Sequence, residues 1–209
     1  MSRYWSMRLL CMTLVLAALP LLHAADEGFR AKTAPEYAAN QKQHQFTVAV
    51  MSYHREADSK DAFGKVRPFK YGVLPVLLVI TNDSDDALSL EKLKVRFIEA
   101  GREGLEPIPS DEMAYVKASS KPKERPAYIP QIPGIGKPKV KKGPLADEVI
   151  IQRAFNAPVV APHSSASGFF YYLTGSDPDP VPGSRIYISG LRNLSSGEEL
   201  FYFEIPLDR

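Results

Sequence analysis

The sequence has almost no sulfur or indole to work with: its 209 residues include one cysteine, Cys11, and one tryptophan, Trp5. Cys11 lies inside an apolar run after Arg8-Leu9-Leu10, whereas a lipoprotein acceptor follows small residues at the cleavage site. Loss of the first 24 residues would leave no thiol, which excludes a disulfide, a thiolate nucleophile and a thiolate metal ligand. Stability would then rest on the core alone, for which roughly 185 residues suffice. Histidine is also scarce, with four in the chain. No apolar run after the first two dozen residues is long enough to span a membrane, and no internal repeat is visible.

What is present begins with an export signal. Arg3 and Arg8 precede and open the run Leu9 to Leu19, Pro20 breaks it, and Leu22-His23-Ala24 offers a small residue to a signal peptidase. Residues 1–24 therefore read as a signal peptide, cleaved after Ala24 or Ala25. A membrane span needs roughly 20 apolar residues, and this run is closed by His23, Asp26 and Glu27. The expectation is an exported chain, periplasmic or extracellular, with no transmembrane segment in its mature part.

Charge is balanced overall and uneven locally. The chain holds 26 basic and 24 acidic residues, and losing Arg3 and Arg8 leaves 24 against 24. Residues 117–145 concentrate Lys117, Lys121, Lys123, Arg125, Lys137, Lys139, Lys141 and Lys142 against Glu124 alone, a local excess of +7 on a body of −7. Eight prolines fall within 101–144. Proline cannot donate to a ladder and favours extended backbone.

Residues 25–44 are polar and aperiodic apart from a weakly helical Pro35–Ala39, and read as a flexible N-terminal lead. Residues 45–209 read as one domain with an insertion at 101–144. Phe46, Val48 and Val50 alternate as in a half-buried strand. Residues 55–68 read as a loop. Residues 73–80 are continuously apolar, so that strand needs cover on both faces, with Pro75 at an edge or bulge. Asn82–Asp86 forms a turn, and Leu93, Val95 and Phe97 a one-sided strand, the two strands resembling a hairpin. Residues 145–155 have helical spacing. Three aromatic and β-branched strands follow at 169–173, 185–189 and 200–205. The sum is a mainly β chain, expected as an immunoglobulin-like β-sandwich with a long Pro/Lys-rich insertion and one short helix.

The run Tyr71 to Asn82 followed by Ser84-Asp85 resembles a strand and turn of small exported bacterial immunoglobulin-like modules. Pro162 through Ser167-Gly168-Phe169-Phe170-Tyr171 is similar to their later aromatic strand. The resemblance implies a fold and a bacterial envelope location. It carries no functional residues, because such modules share no site.

Catalytic constellations are not evident, so no enzyme activity and no cofactor are expected. His163-Ser164-Ser165 lacks the Gly-x-Ser-x-Gly elbow of a serine hydrolase, and adjacent loop residues rarely face one another. His44 and His54 stand at either end of one strand, roughly 30 Å apart, and cannot share a zinc ion; His54 with His163 would meet only by accident of the fold. Asp83-Ser84-Asp85-Asp86 and Asp177-Pro178-Asp179 cluster oxygen ligands, but an EF-hand loop from Asp83 would need Gly and Glu where Leu88 and Lys94 stand. Solvated turns are the expectation there.

Two surfaces remain. The basic insertion, with Lys121, Lys123, Arg125, Lys137, Lys139, Lys141, Lys142 and Tyr128, is either an extended tether for an anionic envelope polymer or a solvated loop on its own acidic body. Nucleic acid is the weaker partner, because export removes the chain from most of it. Strand alternation also places Tyr172, Tyr187 and Tyr202 opposite their apolar neighbours, as an aromatic platform for sugar rings or a face covered by the helix at 145–155. A non-enzymatic exported binding or structural module is the functional expectation, with carbohydrate binding as the alternative and a hydrolase with an unrecognised site behind it. A protein partner would use strand edges or the insertion. The oligomeric state cannot be read from the residues.

Overall fold

The computed structural model describes residues 29–100, 103–116, 142–175 and 179–208. Its chain is mainly β, with strands paired antiparallel in three sheets.

The first sheet is built around the continuously apolar run. β1 (Asn40–Gln43) pairs with β2 (Phe46–Ser52), β2 with β3 (Val73–Asn82), and β3 with β7 (Ser164–Leu173). All ten residues of β3 are buried, because each of its faces meets a separate apolar cluster. Leu74, Val76, Leu78 and Ile80 face one cluster; Val73, Leu77 and Val79 face the other. Pro75 is tolerated where the β2 ladder ends at Ser52↔Val76. Its carbonyl accepts from the Tyr53 amide at 2.8 Å, and no further β2 residue requires its missing donor.

The second sheet has the order β10 (Phe203–Pro206), β8 (Arg185–Ser189), β5 (Lys94–Ile98). Its inward residues Val95, Phe97, Ile186, Ile188, Phe203 and Ile205 share one core with the inward residues of the first sheet. A small third sheet joins β4 (Leu88–Ser89) to β6 (Val159–Val160) and β9 (Arg192–Asn193) and supplies Leu88 and Val160 to that core.

The other face of the first sheet is roofed by short elements. These are α1 (Glu56–Phe63), a 3₁₀ turn at Glu112–Tyr115, α2 (Glu148–Arg153) and the chain from Phe29 to Ala34. An aromatic nucleus forms there, with Phe169 4.8 Å from both Tyr53 and Phe63, measured between ring centroids. Gly168 lets the chain after α2 pass over β7: a Cβ there would lie 2.4 Å from Phe155 Cα.

Several sequence expectations need correction. The 25–44 lead is packed from residue 29 onward: Ala34 is buried, its amide donates to Thr81 Oγ1 at 2.9 Å, and Asn40–Gln43 is a sheet strand. The lead packs through scattered residues, Phe29, Ala34 and Tyr37 among them, so no periodicity announced it. The 55–68 loop contains α1, whose buried face is only Ser59, Ala62 and Phe63. The expected hairpin of 73–80 with 93–97 does not form; β3 pairs with β2 and β7, and β5 pairs with β8. Asn82 redirects the chain between them. Its buried Nδ2 donates to the carbonyls of Asp86 at 2.7 Å and Ala161 at 3.1 Å, while its Oδ1 accepts the Ser84 hydroxyl at 2.6 Å.

Both lateral openings between the two large sheets are closed. On one side, Leu105 exchanges backbone hydrogen bonds with Phe97 of β5 at 2.7 and 3.0 Å, and the Ile108 amide donates to Tyr171 of β7 at 2.7 Å. On the other, β1 side chains reach the free edge of β10: Gln43 Nε2 donates to the Tyr202 carbonyl at 2.9 Å, and Gln41 Oε1 accepts the Glu204 amide at 3.1 Å. Unpaired edges invite foreign strands, so these four contacts leave strand addition little purchase at those edges.

Candidate functional site

The outer face of the β10–β8–β5 sheet keeps an aromatic surface that the core does not use. Strand alternation turns Ile186 and Ile188 inward and Tyr187 outward, with Arg96 and Glu204 as its cross-strand neighbours. Tyr202, just before β10, lies diagonally across and stacks on Tyr187 with centroids 5.2 Å apart and planes 27° apart. Tyr202 is 53% exposed and its neighbour Phe201 77% exposed. Charged side chains frame the pair: Arg185 Nε meets Glu204 Oε1 at 2.6 Å, and Arg96 Nε meets Glu106 Oε1 at 2.9 Å. The result is a partly exposed aromatic pair edged by hydrogen-bonding groups. Chemically it can stack against a ring and orient hydroxyls around it.

Tyr172 does not join this surface, which corrects the three-tyrosine platform. β7 belongs to the other sheet, so the residue opposite Tyr171 points between the sheets rather than into solvent. It is fully buried, lies 5.6 Å from the Phe97 ring, and its hydroxyl donates to the Val95 carbonyl at 3.2 Å. Burial drives its phenol pKa upward. The helix α2 likewise covers a different face from the one expected, packing Ile150 on the Phe169 and Tyr171 side.

A second concave site, absent from the sequence reading, opens where β2 and β10 end. This cleft of about 450 Å³ has Ala39, Val50, Val181 and Leu207 among its walls, with His54 beside them. The strand end fixes the imidazole: Ser52, the last residue of β2, places its hydroxyl 3.0 Å from His54 Nδ1, and Phe69 meets the ring edge-on at 6.0 Å. Burial lowers the His54 pKa from its ordinary value; Asp179 and Asp58 oppose that shift and Arg55 reinforces it. Arg55, Asp58, Asp179 and Asp208 complete the polar wall. The helical signature beside it was available in the sequence, as acidic Glu56 and Asp58 in a first turn and Gly64 after the last. The convergence of residues 37–58 with 179–208 was not.

The remaining candidates are engaged in local structure. His163 Nε2 lies 2.8 Å from Asp85 Oδ1, an exposed pair. Neither neighbouring serine completes a nucleophilic triad with it: Ser164 donates to the Ala161 carbonyl at 2.7 Å, and Ser165 pairs with Thr81 at 2.8 Å. Asp86 accepts from Asn193 at 3.2 Å, and hydrogen bonds from Ser195 and Asn193 depress its carboxyl pKa. His44 occupies the turn between β1 and β2 with φ 51°. Among the described residues no group of three His, Cys, Asp or Glu side chains could hold a metal ion. Nor is any described helix long and apolar enough to cross a membrane. Lys142 is exposed. Lys121, Lys123, Arg125, Tyr128, Lys137, Lys139 and Lys141 lie outside the described residues, as do Asp177 and Pro178.

No protein-family model matches the sequence, and no curated protein matches it. Among solved structures, a conserved hypothetical protein from Bacillus anthracis is similar over 78% of this chain and 92% of that one, at 10% identity and a TM-score of 0.30.

Proposed function

We propose that the protein is an exported, non-enzymatic binding module of the bacterial envelope, an immunoglobulin-like β-sandwich that recognises glycan through its outer sheet face. The observation that carries this reading is the stacked Tyr187–Tyr202 pair, held in solvent by β8 and the start of β10 and framed by Arg96, Arg185 and Glu204. A sugar ring presents a C–H face that packs on an aromatic plane and equatorial hydroxyls that seek charged partners at its rim. Aromatic side chains deliver large contact area at low entropic cost, which suits a recognition surface.

Cross-strand tyrosine stacking also stabilises the sheet, by roughly 0.2–1 kcal/mol. That contribution does not require Tyr202 to remain half-exposed or charged residues to surround it. Affinity electrophoresis through gels containing soluble polysaccharides tests the reading. A retarding polysaccharide should lose its effect with Tyr187→Ala and Tyr202→Ala, each weakening binding about ten-fold. Retardation that is unchanged in both variants would remove the outer face from recognition.

A further inference from the structure

We propose that the open edge of β7 at residues 165–167, with the cavity beside it, is a docking groove for an extended acidic peptide of a partner protein, added to the sheet as a further strand. The groove lies on the first sheet, apart from Tyr187 and Tyr202 on the second, and stands whether or not that pair takes glycan.

Backbone hydrogen bonding comes first. β7 ends its sheet, with β3 on one side only. The carbonyls of Phe169 and Tyr171 point away from β3, since they accept from the amides of Phe155 at 3.1 Å and Ile108 at 2.7 Å. Backbone direction repeats at every second residue, so the amides and carbonyls of Ser165 and Ser167 point the same way. Among the described residues none pairs with them on that side, and both serines are exposed. Four backbone groups over about 7 Å of strand are thus left for an incoming chain. Strand addition takes its affinity from such main-chain bonds and its selectivity from pockets for alternate side chains.

A pocket of that kind is present. A cavity of about 390 Å³ opens beside Ser167, walled by Phe29, Ala31, Ala154 and Phe169. Ser165 and Ser167 lie on the same face of β7 as Phe169. A peptide residue opposite Ser167 therefore turns its side chain toward the cavity. The segment after α2 already occupies the edge at Phe169, which gives the groove a closed end. A second copy of the chain fits less well: pairing two β7 edges about a two-fold axis at Ala166 sets Ser165 opposite Ser167 and leaves the apolar walls empty. Charge then refines the choice of peptide. Arg30 and Arg153 are the charged residues of the lining, and no carboxylate joins them. Arg153 is half-buried and fixed, donating to the Phe29 carbonyl at 2.7 Å with its guanidinium 5.5 Å from the centre of that ring.

The test uses residues 25–209, which retain every described residue, with acetyl-Glu-Thr-Leu-Thr-Glu-amide as the probe. In either strand direction this peptide places Leu between two Glu on one face. Two controls have the same length: one carries Lys at both Glu positions, and the other is N-methylated at the three central residues. Followed by NMR, the Glu peptide should give saturable shifts at Arg30, Ser165 and Ser167 and should slow amide exchange at the two serines. The N-methylated peptide should bind about ten-fold more weakly, and the Lys peptide about three-fold more weakly. Arg30→Glu should reverse the order of the Glu and Lys peptides, a result that misfolding cannot produce. Equal binding of the N-methylated peptide, shifts that never saturate, or an unchanged order in Arg30→Glu would each overturn the proposal. So would concentration-dependent shifts at Ser165 and Ser167 without peptide, which would assign the edge to a second copy.

Discussion

Gln41 and Glu204 join two sheets that share no backbone ladder at that corner: the Gln41 side-chain oxygen accepts the Glu204 backbone amide at 3.1 Å. Gln43 repeats the contact two residues on, donating to the Tyr202 carbonyl. Both glutamines project from the same side of β1, and Tyr202 and Glu204 present their backbone away from β8, so one period-two pattern meets another. The edge of β10 is thereby occupied by side chains in place of a strand.

Removing both amides should therefore expose a usable edge. Gln41→Ala with Gln43→Ala is expected to cost about 1 kcal/mol, since both bonds are solvent-exposed. Urea denaturation measures that loss. The same variant should associate at high concentration through the freed β10 edge, which light scattering detects; a variant that remains as monodisperse as the wild type would show that another feature protects the edge.

Asn82 carries the turn that sends the chain from one sheet to the next. Its amide serves the carbonyls of Asp86, Val160 and Ala161 and two groups of Ser84 from a fully buried position. Asn82→Ala strands those partners and should destabilise by about 2–3 kcal/mol. Asn82→Asp should cost at least as much, because a carboxylate cannot donate to the Asp86 and Ala161 carbonyls. Thermal melts of the two variants side by side distinguish a lost network from simple loss of volume.

Gly168 offers a purely steric prediction. Its φ is not in the left-handed region, so backbone strain is not at issue; the obstacle is Phe155, whose Cα would stand 2.4 Å from a new Cβ. Gly168→Ala should cost about 1–3 kcal/mol through forced displacement of the Phe155 segment. It should also disturb the Phe155–Phe170 stack, now at 5.5 Å, with a change in near-ultraviolet circular dichroism.

Much of the core could be read from residues 73–80 and 169–173, where unbroken apolar or aromatic runs left little choice but buried strands. Alternation also separated Ile186 and Ile188 from Tyr187 correctly. It likewise separated Tyr172 from Phe169 and Tyr171. But alternation assigns faces within one strand and says nothing about which sheet that strand enters, so it could not show that Tyr172 lies apart from Tyr187 and Tyr202. The hairpin expectation failed for the same reason: Asn82 and its partners 160–161 are far apart in sequence, and only their meeting diverts the chain. The cleft was illegible on similar grounds. His54 stood in the sequence as an isolated imidazole, and its surroundings come from Asp179, Val181 and Leu207, well over a hundred residues away.

Acid should act on the fold through His54. Burial holds its pKa below the ordinary value, so the unfolded chain takes up the proton more readily than the folded one. The stability this neutral imidazole contributes is complete above the unfolded value, roughly 6.5, and is lost as pH falls through the lower folded value. Urea midpoints should therefore decline between about pH 7 and about pH 5 in the wild type, and decline less in His54→Gln. Identical slopes would show that His54 titrates alike in both states.

Recognition of envelope glycan by the outer face is open to test by cosedimentation with purified peptidoglycan sacculi. Three proteins should be compared at low and moderate salt: residues 25–209, Tyr187→Ala/Tyr202→Ala, and a variant with residues 117–141 replaced by a short Gly/Ser linker. The unaltered protein and the linker variant should pellet with the sacculi at both salt concentrations, and the double tyrosine variant should stay in the supernatant. Binding that survives loss of both tyrosines but disappears with the basic segment or with salt would contradict the claim and place recognition on the insertion.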